Sequence, residues 1–139
     1  MTESNKTIIH LYTEAFNNRD LSIIDEIVAD NFVDHRYPPD LPPGPESVRQ
    51  WFNTLFTAFP NSRALIEDVI AEEDKVAVRY QLLGTHEGDF MGLPPTGQQF
   101  SMSAINILRI VEGQLVESWK TADRLGLLQQ LGLLDEKLM

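Results

Sequence analysis

The chain has 139 residues, enough for one domain (1–139) around a single core, and 11 Lys plus Arg against 21 Asp plus Glu. The resulting formal charge of −10 repels phosphate backbones and argues against nucleic-acid binding, while the absence of cysteine excludes disulfides, thiol catalysis and Cys-based metal sites. No apolar run approaches the roughly 18 residues of a membrane span, and MTESNKTIIHLYTEAF lacks the basic start and apolar core of a signal peptide, so no membrane partner and a cytoplasmic location are expected.

In chain order, Ile8, Leu11, Tyr12, Ala15 and Phe16 fall on one face of a helix over roughly Lys6–Asn17. His10 lies off that face and is expected to be solvated. Asp20 is placed to cap a second helix carrying Ile23, Ile24, Ile27 and Val28. HRYPPDLPPGP follows, with five prolines in eleven residues, too many for a helix or a central strand. Gly44-Pro45-Glu46 opens a third helix, Pro45 standing where its missing N–H costs nothing. Val48, Trp51, Phe52, Leu55, Phe56 and Phe59 form its apolar face, and Pro60-Asn61 stops it. Burying this aromatic stretch should dominate the core.

After Pro60 the period changes from helical to alternating. Segments near Ala64–Ala71, Lys75–Thr85, Phe100–Val111 and Gln114–Thr121 read as strands, with hairpin turns at Glu72–Lys75 and Glu112-Gly113. Leu125–Leu131 returns to a short helical pattern. The order of three helices, an antiparallel meander of about four strands and a terminal helix makes an α+β domain.

Alternation puts Trp119, Thr121 and Asp123 on one side of the last strand, if the strand reaches that far. On the strand before it, Ile105, Ile107 and Arg109 share one side, while Met102, Ala104, Leu108 and Ile110 share the other. Both sides are partly apolar, so alternation alone leaves open which one lines a cavity. Asp123 has the most apolar sequence neighbours of any carboxylate, and burial there would raise its pKa towards the range of a general base. Equally, it stands where an N-cap for Leu125–Leu131 belongs. Histidine as a residue type titrates near neutral pH and loops often carry function, so His35, at the entry to the proline-rich loop, suits an acid/base role or a turn. His86 ends a strand and suits loop packing. Arg109, among Ile107, Leu108 and Ile110, needs a partner or a solvated cavity. It can hold an anionic oxygen or pair with a carboxylate such as Glu117. The three histidines have no metal-ligand spacing, and phosphate-binding, dinucleotide-binding and nucleophile-elbow motifs are absent.

The segments NFVDH (31–35), PPGPESVRQW (42–51), AFPN (58–61), GTHEGDFMGLPPTGQQF (84–100), INILRIVEGQLVESW (105–119) and D-x-L-G-L-L-Q-Q-L-G (123–132) together resemble the SnoaL-like polyketide cyclase family. The resemblance spans nearly the whole chain. It implies a cone-shaped fold shared with nuclear transport factor 2, in which N-terminal helices close a strongly curved antiparallel sheet, with a short C-terminal helix. It also implies intramolecular aldol chemistry without metal or organic cofactor, with an aspartate at Asp123 as general acid/base and His35 lining the pocket. By spacing, Arg109 stands where these cyclases carry a second pocket histidine; it cannot shuttle a proton but can stabilise an enolate oxygen. A homodimer is implied by the same resemblance.

The expected function is a cofactor-independent enzyme acting on a small hydrophobic carbonyl compound. Asp123, His35 and Arg109 would be catalytic, and Trp119, Ile107, Trp51 and His86 would shape the substrate site, with no metal. A non-catalytic binding or assembly module of the same fold is the alternative, and an epoxide-hydrolase-like hydrolase ranks below both.

Overall fold

The structure, a computed structural model, describes residues 2–35 and 41–134. In chain order the elements are α1 (Thr2–Asn17), α2 (Ile24–Ile27), β1 (Val28–His35), α3 (Pro45–Ala58), β2 (Arg63–Glu72), β3 (Lys75–Thr85), β4 (Gln99–Val111), β5 (Gln114–Ala122) and α4 (Arg124–Gln130). The five strands form one sheet in the order β1-β5-β4-β3-β2. From β2 to β5 it is the expected antiparallel meander. Glu112 and Gly113, both at positive φ (52° and 77°), make the two-residue turn between β4 and β5. Helices close one face of this curved sheet, the α+β architecture that the order of periods implies.

The element that differs from expectation is β1. The spacing of Ile23, Ile24, Ile27 and Val28 predicts a second helix, but only Ile24–Ile27 coil, and Val28 is already extended (φ −116°, ψ 123°). Residues 28–35 then pair parallel with β5, making the sheet mixed. Asp20 caps no helix; its carboxylate accepts from the Ser22 amide at 3.1 Å and closes a local turn. The expected proline-rich loop falls partly on residues 36–40, outside the described residues.

α3 is docked onto β1 by Gly44. Its N–H donates to the Phe32 carbonyl at 2.8 Å, its φ is +82°, and a Cβ there would come within 2.7 Å of the Asp30 carbonyl oxygen. Only glycine fits that approach. Between helices and sheet lies one core, in which Phe16 and Phe52 meet edge-on at 5.1 Å and Phe59 packs on Phe100 at 4.6 Å. The Asn17 side chain pairs with both backbone groups of Ala64 (2.9 and 2.8 Å), fixing α1 to the edge strand β2.

Burial along β4 settles the question of sides. Phe100, Ala104, Asn106, Leu108 and Ile110 are buried beneath the helices, whereas Ser101, Ser103, Ile105 and Ile107 are exposed on the opposite face.

Candidate functional site

A cavity opens on the inner face, walled by α1 and α3 on one side and by β3, β4 and β5 on the other. Its volume is about 90 Å³, its walls are chiefly apolar, and Arg124 at the start of α4 stands at its exposed end. The polar groups on its wall are few: Tyr12 and Thr13 from α1, Trp51 from α3, Tyr80 from β3, Asn106 from β4 and Lys120 from β5. A mostly apolar cleft with a handful of convergent polar groups is the usual form of a small-molecule site.

Strand register brings these groups together. Asn106 is the register partner of Lys120 across β4–β5 and of Val78 across β3–β4, and Tyr80 pairs with Ala104 in the next row. The Lys120 ammonium lies 4.8 Å from the centre of the Trp51 ring, a cation–π contact. Asn106 is 8% exposed, and its Oδ1 accepts no hydrogen bond from the described residues. Such a buried orphan acceptor is costly unless something else supplies a donor.

An inner-face carboxylate stands behind this group. Asp34, on β1, accepts a 3.3 Å bond from the buried Ser118 hydroxyl, its register partner on β5. Burial, joined by the negative charge of Asp34, pushes the Tyr80 phenol up to about 12 and raises Tyr12 as well. Both phenols therefore stay protonated at neutral pH and can donate. Neither Asp34 nor Lys120 stands out in the sequence. Asp34 precedes the more conspicuous His35, and Lys120 sits between Trp119 and Thr121. The available signal was period-two alternation, which places Ser118, Lys120 and Ala122 on the side opposite Trp119.

The residues singled out from the sequence divide among four places. Trp51 lines the cavity. His35, Ile107, Arg109 and Trp119 come together on the outer face of the sheet instead. His35 stacks on Trp119 with ring centres 5.1 Å apart and planes 10° from parallel. Its Nε2 meets Glu117 Oε2 at 2.8 Å, and Arg109 Nε donates to Glu117 Oε1 at 2.8 Å. The carboxylate pairing weighed for Arg109 is thus the one present. These bonds hold the Glu117 carboxyl below its ordinary value, His35 contributing first and Arg109 next.

Asp123 follows β5 directly and caps α4, its Oδ1 accepting from the Gly126 amide at 2.9 Å. It is exposed, so the apolar enclosure suggested by its sequence neighbours is absent. Ala122 and Arg124 on either side of it do line the cavity. His86 is fully buried away from the cavity wall. Its Nδ1 accepts from the Thr96 amide at 3.3 Å and lies 3.1 Å from the Thr96 hydroxyl, and its ring meets Phe59 edge-on. It organises the long β3–β4 connection, as a loop-packing histidine would. His10 is exposed. Among the described residues, no helix is long and apolar enough to cross a membrane.

Comparison with known proteins agrees with this architecture. Residues 6–131 match the family model for SnoaL-like polyketide cyclases. The chain is 30% identical over 130 residues to the aklanonic acid methyl ester cyclase DauD of Streptomyces sp. (strain C5), covering 90% of this chain and 80% of that one. It is 29% identical to the nogalonic acid methyl ester cyclase of Streptomyces nogalater, over 85% and 90% of the two chains. Among solved structures, TsrD from Streptomyces laurentii superposes with a TM-score of 0.89 at 25% identity, over 96% of this chain and 98% of that one. Wild-type IdmH from Streptomyces antibioticus gives 0.80 at 34% identity, over 92% and 98%. On the match over most of its length, the chain belongs to the SnoaL-like polyketide cyclase family.

Proposed function

We propose that the protein is a cofactor-independent acid/base enzyme that closes a ring in a small hydrophobic carbonyl compound held inside the cone. The single observation that carries this reading is the apolar cavity with its protonated phenols, in a chain whose relatives are methyl ester cyclases. The reaction is an intramolecular aldol addition. A base removes a proton from the carbon beside a carbonyl, the enolate carbon bonds to a second carbonyl carbon of the same molecule, and the new alkoxide takes up a proton. Tyr12 and Tyr80 are the donors suited to the enolate oxygen, because preorganised donors in a water-poor site act most strongly where charge develops.

Asp123 is the base in this proposal. Its cap bond to Gly126 fixes the carboxylate, and the cavity-lining residues on either side bring it to the rim. A second assignment, Asp34, is favoured by one observation: its charge is felt by both phenols. The roles expected for His35 and Arg109 pass to the outer face, where they support the sheet through Glu117.

The experiment is incubation with a series of β-dicarbonyl methyl esters in the presence of a chelator, with ring-closed product followed by chromatography. Protein-dependent product supports the enzyme reading. Compounds that bind and are returned unchanged throughout the series would favour the binding module.

A further inference from the structure

On the inner side of β4, Asn106 interrupts an apolar stripe formed by Phe100, Ala104, Leu108 and Ile110. Asn106 is 8% exposed and stands on the cavity wall, in register with Val78 on β3 and Lys120 on β5. No described residue donates to its Oδ1, Lys120 across the strand pair included. The sheet thus makes no use of this oxygen. An apolar side chain of similar shape would serve the core better, because a buried acceptor without a donor has lost its water bonds and gained nothing for them. A polar side chain that packing does not require, buried on the wall of an otherwise mostly apolar cavity, is placed for what enters that cavity.

We infer that Asn106 is a specificity-determining residue, whose carboxamide takes the hydroxyl of a phenolic or enolic ring held in the cavity. Resting on the reading of the cavity as a ligand site, this narrows the substrate class from any hydrophobic carbonyl compound to one that also carries a hydroxyl. A hydroxyl supplies the donor that Oδ1 lacks, and it also accepts, so it meets the carboxamide whichever end of the amide faces the ligand. The wall is complementary in the other sense as well. Tyr12 and Tyr80 stay protonated at neutral pH and suit a carbonyl oxygen, and Tyr80 lies in the next row of the sheet from Asn106. At about 90 Å³ the enclosed space suits a ligand of about one ring, or one end of a larger one. The hydroxyl and the carbonyl therefore belong to the same end of the molecule.

The test uses three single-ring probes that differ in one substituent, 3-hydroxyacetophenone, 3-methylacetophenone and 3-methoxyacetophenone, titrated calorimetrically into the whole chain at neutral pH. The hydroxyl probe is expected to bind at least about fivefold more tightly than the methyl probe, and the methoxy probe, which cannot donate, no better than the methyl probe. Asn106→Leu should abolish the preference while leaving the methyl probe bound, which also reports that the cavity is still formed. Asn106→Ala, which opens space instead of filling it, should abolish it too. Equal affinity for the hydroxyl and methyl probes in the native chain, a methoxy probe as tight as the hydroxyl probe, or a preference that survives both substitutions overturns this inference and leaves the proposed function standing. Failure of all three probes to bind the native chain would overturn the cavity as a ligand site, and the proposed function with it.

Discussion

Lys120 and Asn106 face each other across the β4–β5 pair on the inner side of the sheet, while their strand neighbours Trp119 and Ile107 face each other on the outer side. That single inversion divides the molecule's chemistry. The cation and the orphan amide belong to the cavity; the stacked histidine and the arginine belong to the outer surface.

The assignment of the base is tested by two conservative variants. Asp123→Asn should leave thermal stability nearly unchanged, because Asn caps a helix as well as Asp does. If Asp123 is the base, turnover on a confirmed substrate falls by about 10²–10⁴. Full activity in Asp123→Asn, with the loss appearing in Asp34→Asn instead, moves the role to the inner-face carboxylate.

Tyr80 should behave as a donor that resists ionisation. Its folded-state pKa is raised to about 12, above the ordinary phenol value near 10. Its contribution to stability is therefore complete below pH 10 and is lost as pH rises through 12. Tyr80→Phe should abolish that alkaline loss, so that the loss appears as the pH-dependent difference between the two stability curves, and should slow turnover by about tenfold or more. Phenolate absorbance in the folded protein that is unchanged by Tyr80→Phe below pH 11 agrees with this; a Tyr80 signal near pH 10 does not.

On the outer face, the depressed Glu117 predicts the opposite pH trend. The folded-state pKa lies below the ordinary 4.5, so the stabilisation is present above that value and is lost as pH falls through the folded pKa. Denaturation midpoints of the native chain and Glu117→Gln should differ most above pH 5 and converge in acid. A difference independent of pH would show that the His35–Glu117–Arg109 contacts contribute no charge-dependent stability.

Exposed Val33, Ile105, Ile107 and Trp119 (42%, 50%, 40% and 37%) give the outer face more apolar surface than a solvated sheet needs. A second copy of the chain is the proposed cover, through a two-fold, self-complementary contact. Sedimentation should show a dimer that Ile107→Glu dissociates. A native chain that stays monomeric at high micromolar concentration contradicts it.

How much of this was legible in the sequence follows from which signals are local. α1, α3 and the four-strand meander carry clean periods and strong punctuation at Gly44-Pro45 and Pro60. β1 was hidden for two reasons. Its partner β5 lies far along the chain, and a register shift between Val28 and Val33 breaks its alternation. Missing β1 also hid Asp34, since an inner face has meaning only within a sheet. Asp123 and Arg109 attract notice through their apolar sequence neighbours, but neighbours i±1 on a strand point to the opposite face. The cap and the Glu117 pair, both visible as alternatives, are what the fold makes of them.

Ligand chemistry is proposed to take place inside the cone. Its most direct test is a crystal structure of the protein with a carbonyl compound first selected by protection against thermal unfolding. Density is expected in the cavity, with an oxygen within reach of Tyr12 or Tyr80. Density on the outer face beside Trp119 and His35, with the cavity unchanged, would contradict it.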